Sequence, residues 1–166
     1  MKKRVFLALF ILLSLIVLPQ SAVFAGSWGE TRLGLGVGLF AAEPTSPNIA
    51  LVFRTGPYDV KFAYDFTPGD GYIFLNGSYM AVNSRPLNDI FSGSLGLGAF
   101  AKYYFGEKRD DNFLGGINIP VSVEISFIDN FLQFFATIAP GLELFPKPQF
   151  TTNSLCAWIG FTILLD

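Results

Sequence analysis

Eight charged residues stand inside alternating apolar segments of this chain: Arg32, Arg54, Lys61 and Lys102, and Asp59, Asp65, Glu124 and Glu143. Each falls in phase with the small and polar residues of its segment, opposite the apolar ones. Charges gathered on one face suit two kinds of chemistry. They can pair into an internal ionic network, as charges taken out of water must. They can also line a path for ions or protons. Catalysis is poorly served by the rest of the inventory. There is no histidine, the usual general base near neutral pH. There is no G-x-S-x-G elbow and no Cys/His cluster at metal-ligand spacing. The L-G-L-G-V-G run around Gly34, Gly36 and Gly38 brushes a dinucleotide fingerprint but opens no helix. D-F-T-P-G-D-G (65–71) places two acids near a loop tip, where a plain turn is favoured over weak Ca²⁺ contact. Cys156 falls beside Trp158 on the same face and reads as packed interior, not a reactive thiol. The chain is therefore expected to be no enzyme, with no catalytic residue, cofactor or metal.

The elements that must position these charges are strands. In N-I-P-V-S-V-E-I-S-F (118–127), Ile119, Val121, Val123, Ile125 and Phe127 alternate with Asn118, Pro120, Ser122, Glu124 and Ser126. That is a period of two. About eight such segments follow one another: 31–41, 48–54, 58–66, 72–82, 91–105, 118–127, 131–145 and 153–165. Turn chemistry separates them: E-P-T-S-P at 43–47, T-G-P at 55–57, T-P-G-D-G at 67–71, N-S-R-P-L-N-D at 83–89, G-E-K-R-D-D-N at 106–112, I-D-N at 128–130 and P-K-P at 146–148. Gly, Pro, Asn and Asp supply the backbone angles of tight turns, and short connections imply sequential antiparallel hairpins. Pro120 and Pro140 fall within strands, where a proline usually marks a bulge. Bulges are predicted at both.

The first 25 residues read differently. Lys2, Lys3 and Arg4 precede an apolar run from Val5 to Leu18, and Val23-Phe24-Ala25 forms a small-residue cleavage site. This is the pattern of a secretory signal peptide, and the run is short for a membrane span. The expected organisation is a signal peptide over 1–25 and one barrel domain over 26–166. With Cys156 the only cysteine, an internal disulfide is excluded. Without Lys2, Lys3 and Arg4 the chain carries 8 basic against 13 acidic residues, a net charge of −5. That balance excludes a nucleic-acid partner, which would need a basic patch.

Which face points outward decides the class. Charged residues are 14% of the chain, against about 25% in ordinary soluble domains. The apolar face is broad and almost free of charge, and it suits contact with lipid. Tilted membrane strands need about 9–11 residues, close to most of these segments. Tyr58, Tyr64, Phe66, Tyr103, Phe105 and Phe127 gather near strand ends, as aromatic girdles do. In lipid the sheet must close, because no backbone group can be left unpaired. The expected fold is all-β: a closed antiparallel up-and-down β-barrel of about eight strands, preceded by a cleavable signal helix. An interior of that size is just wide enough for side chains to fill, so an internal charge network is favoured over a path for bulk flow.

Segments I-N-I-P-V-S-V-E-I-S-F (117–127) and F-L-Q-F-F-A-T-I-A-P-G-L-E-L-F-P (131–146) resemble the closing half of small, uncharacterised outer-membrane β-barrel proteins of spirochaetes and other double-membraned bacteria. More broadly the chain is similar to OmpA-, OmpX- and OmpW-like barrels. The likeness is best over 92–166. It implies residence in the outer membrane after export, with the lipid bilayer and the outer-membrane assembly machinery as partners. The family tends to place acids where this chain has Gln133 and Thr137, and a base where it has Thr162. The chain ends Leu164-Leu165-Asp166, where the resemblance would offer the machinery an aromatic.

The expected role is structural or surface-interacting. Outer loops at 42–47, 67–71, 106–112 and 145–152 would face outward, with 106–112 the foremost contact for an unidentified external partner. One alternative is a narrow, porin-like pore or a transporter of small hydrophobic compounds. A weaker one is a soluble periplasmic, lipocalin-like barrel, whose inverted register would line a cavity with Leu95, Leu97, Val121 and Val123.

Overall fold

The computed structural model describes residues 30–40, 43–68, 71–87, 90–105, 112–150 and 154–165. The predicted signal peptide and all of the G-E-K-R-D-D-N loop but Asn112 lie outside them. Ten strand segments run along the chain: β1 (Thr31–Phe40), β2 (Glu43–Thr55), β3 (Tyr58–Tyr64), β4 (Tyr72–Leu87), β5 (Phe91–Tyr104), β6 (Phe113–Asn118), β7 (Val121–Phe127), β8 (Leu132–Ala139), β9 (Gly141–Phe145) and β10 (Cys156–Leu165). All pairings are antiparallel. The order β4-β3-β2-β1-β10-β8-β7-β5 closes on itself through β4–β5. β6 continues into β7, and β8 into β9, so the wall is a closed eight-stranded barrel.

Pro120 and Pro140 do not make the predicted bulges. Asn118 pairs with Gly98 and Val121 with Leu95, three steps on along one strand and three back along the other. The same holds across Pro140, where Gly141 pairs with Asn118 and Ile138 with Val121. No residue is inserted at either proline. Each lacks an N–H but still accepts through its carbonyl, Pro120 from Gly96 N and Pro140 from Ile119 N, both at 2.9 Å. In this stretch the register shifts instead between Gly115 and Gly116.

Two predicted turns are also strand. E-P-T-S-P lies in β2 and most of N-S-R-P-L-N-D in β4. Pairing explains why prolines are tolerated there. β2 meets β3 only from Ile49 onward. β4 meets β3 only as far as Tyr79, and beyond that pairs with β5 alone. Both overhangs have one neighbouring strand, and the prolines fall where its register shifts: Pro44 and Pro47 between the pairs Gly38–Asn48 and Phe40–Glu43, Pro86 between Ser84–Gly93 and Leu87–Phe91, where a missing N–H costs little.

The alternation read from the sequence is carried through the wall with the apolar face outward. Leu33, Leu35, Val37 and Leu39 are exposed on β1, while Arg32 and Phe40 are buried. Val121, Val123, Ile125 and Phe127 are exposed on β7, while Ser122 and Glu124 are buried. Aromatic side chains cluster on the outside near the loop end, with Tyr64 against Phe66 and Phe105, and Tyr103 against Phe105. Tyr58 and Tyr79 pair toward the other end. Inside, glycines let large rings approach the backbone. Gly36 and Gly160 face each other across β1–β10, and the Phe135 ring lies over both. A Cβ on Gly36 would stand 3.1 Å from that ring, and one on Gly160 2.9 Å from it.

Candidate functional site

The barrel's interior divides into two chemistries. Toward the end that carries the chain termini it is ionic. Toward the end of the longer loops it is aromatic. All eight charged residues singled out in the sequence point inward and are buried, and four of them, Arg54, Asp59, Lys61 and Glu124, form one connected ionic cluster.

Arg54 on β2 is the centre of the ionic half. Its Nε donates to Asp59 Oδ2 on β3 at 2.9 Å. Its Nη1 crosses the lumen to Glu124 Oε1 on β7 at 2.9 Å and to Gln133 Oε1 on β8 at 3.1 Å. Lys61 Nζ donates to the other oxygen of Asp59 at 2.7 Å. Ser92 Oγ donates to Glu124 Oε2 at 2.9 Å. The guanidinium also lies over the Phe135 ring, 4.7 Å from its centroid. One side chain thus bridges strands on opposite sides of the lumen. Gln133, though uncharged, accepts from Arg54. Beside this cluster is a cavity of about 50 Å³, bordered by Arg32, Arg54, Ser94 and Glu124. Arg54 Nη2 and Ser94 Oγ are buried without a protein partner, and the space suffices for water to meet them.

Arg32, Asp65, Glu143 and Lys102 make contacts of their own. Arg32 pairs with Glu30 at 2.8 Å at the termini end. Its Nη2 also donates to Asn130 O at 2.6 Å, and Asn130 Nδ2 donates to Glu30 Oε1 at 2.7 Å. This clasp holds the β7–β8 turn, where Ile128, Asp129 and Asn130 have φ of 53°, 49° and 70°. Left-handed backbone is costly for a β-branched residue such as Ile128. Arg32→Met should therefore loosen the turn. The expected result is faster amide exchange at 129–131 with unchanged protection along β1–β10, and a loss of about 1–3 kcal/mol. Unchanged exchange at the turn would remove the clasp from the account. Asp65 Oδ1 accepts from Thr67 N at 2.7 Å and Thr67 Oγ1 at 2.6 Å, which closes a turn. No group of three candidate metal ligands occurs among the described residues. Glu143 Oε2 accepts from Gln149 Nε2 at 2.8 Å.

Lys102 lies in the aromatic half. Its Nζ is 4.0 Å from the ring centroid of Phe40, 3.8 Å from that of Tyr72 and 4.5 Å from that of Tyr104. Phe74 stacks on Phe100 and Trp158 beside them. Trp158 Nε1 donates to Cys156 Sγ at 3.1 Å, and Cys156 is a buried free thiol, as its placement beside Trp158 implied. Sequence reasoning treated the inward face as polar and missed this aromatic packing. The signal was the shared parity of Phe40, Phe100 and Tyr104 with the glycines and serines of their strands.

The hydrophobic residues assigned to a cavity by the soluble-barrel alternative, Leu95, Leu97, Val121 and Val123, are all exposed on the outer wall. A shallow apolar groove also lies on that wall, between Val60, Tyr79, Leu97 and Ile117 and over Gly77 and Ala99. Comparison of the chain with protein-family models, curated proteins and solved structures finds no match.

Proposed function

We propose that this chain is a non-enzymatic outer-membrane β-barrel with a structural or surface-interaction role, its termini in the periplasm and its longer loops outside. The observation that carries the reading is the inverted distribution of side chains. The outer wall of every strand presents Leu, Ile, Val, Phe and Tyr, while Arg, Lys, Asp, Glu, Asn and Ser are inside. Exposed apolar patches on soluble monomers rarely exceed a few hundred Å². A wall apolar around its whole circumference is in keeping with a bilayer as the surrounding medium. A closed ring also leaves no strand edge to be satisfied in lipid.

The filled lumen favours a structural role over conduction. Arg54 spans it in one half, and Phe40, Phe74, Phe135 and Trp158 occupy it further along. The resemblance to small spirochaete-type barrels agrees with this reading, and the assembly machinery and lipid are then its first partners.

The test is the mobility of the membrane-fraction protein in SDS gels, boiled against unboiled. A closed membrane barrel should resist SDS until heated and run faster unboiled. Recovery in the soluble fraction with no heat-dependent shift would refute membrane residence.

A further inference from the structure

We propose that Phe40, Tyr72 and Tyr104 form an alkylammonium-binding cage at the loop end of the lumen, and that the protein's own Lys102 is the guest that fills it. Three ring faces converge on one nitrogen at 3.8–4.5 Å. A cation over even one ring within about 6 Å is attracted by its quadrupole, and cages of several rings are the arrangement that recognises methylated and quaternary ammonium groups. The four residues are at most 1% exposed, so the attraction acts away from competing water.

The rings are held by one another as well as by the cation. Phe40 packs edge-on against Tyr72 at 5.7 Å and against Phe74 at 5.0 Å, and Tyr72 against Tyr104 at 5.6 Å. Asn48 Nδ2 donates to the Tyr72 hydroxyl at 2.8 Å. The rings come from β1, β4 and β5, so the cage is fixed by the closed wall and not by one flexible segment. Its shape should outlast removal of the lysine side chain. The guest is tethered two residues from Tyr104, which gives it a high effective concentration. Free amines therefore do not displace it. This inference concerns the interior and stands whether lipid or water surrounds the barrel.

The experiment compares Lys102→Ala with the unmodified protein, using choline and its uncharged carbon isostere, dimethylbutanol, as probes. The variant should bind choline saturably, with a rise in Tm, about tenfold more tightly than the isostere. The unmodified protein should show no such rise at the same concentration. Equal binding of the two probes would mean a merely apolar cavity, and no binding of either would mean that the rings do not keep the cage; each result overturns the proposal. A second measurement needs no variant. Three ring currents should shift the Lys102 ε-methylene protons strongly upfield of those of Lys147. An ordinary shift for Lys102 overturns the proposal even where the alanine variant fails to fold.

Discussion

Arg54→Met should destabilise the barrel by about 3–5 kcal/mol, the usual consequence of removing one partner from a buried ionic cluster. The size follows from what is left behind. Glu124 keeps only Ser92 as a hydrogen-bonding partner, at 2.9 Å, among the described contacts. Asp59 keeps Lys61 at 2.7 Å. Glu124 would then be a buried carboxylate with no cation. Methionine fills much of the volume over Phe135, so lost packing contributes less than the stranded charge. Two companions separate the causes. Glu124→Gln in the Arg54→Met background should recover more than half of the loss, because it removes the uncompensated charge. Arg54→Lys should fall between, since an ammonium keeps the charge but cannot fork to Asp59, Glu124 and Gln133 together. Urea unfolding of the refolded protein gives all three values. A loss under about 1 kcal/mol for Arg54→Met, typical of a solvated ion pair, would show that water reaches the cluster freely. The structural role of the lumen would then lose its main support.

How much of this was legible in the sequence depends on the kind of signal. Alternation needs no knowledge of partners, so the strands, their inward and outward faces and the closed all-β fold could be read residue by residue. The same parity placed Arg32, Arg54, Asp59, Lys61, Asp65, Lys102, Glu124 and Glu143 inside. It could not say which of them meet. Arg54 reaches Glu124 because β2 and β7 face each other across the closed ring, a relation that no spacing along the chain encodes. Composition also misled. Pro44, Pro47 and Pro86 suggested turns, yet each lies within a strand, at a register shift of its ladder. Pro120 and Pro140 suggested bulges, yet the ladder runs past both in register. A proline's effect depends on whether a neighbour needs its N–H, and that is a tertiary fact. The aromatic cage was hidden for a different reason: the phase of Phe40 and Tyr104 puts them inside, but parity does not say which inward rings meet.

A charge placed on the outer wall should reveal the surrounding medium. Leu35 is 48% exposed and lies midway along β1, with Leu51 and Phe161 as its cross-strand neighbours. In a bilayer, Leu35→Arg places a cation near the hydrocarbon centre, at an expected cost of about 2–4 kcal/mol. Phe66 is 68% exposed at the loop end, beside Tyr64. There Phe66→Arg can reach the headgroups and should cost about 0–1 kcal/mol. In water the two would be ordinary surface substitutions, each within about 0.5 kcal/mol of neutral. The difference between positions carries the inference, because errors in refolding conditions affect both variants alike. Unfolding from lipid vesicles supplies the numbers. A steep dependence on depth would place Leu35 in lipid and make the apolar wall a consequence of its solvent. Equal, near-zero costs at both positions would reject the bilayer as that solvent, and the exposed wall would then need a protein partner to cover it.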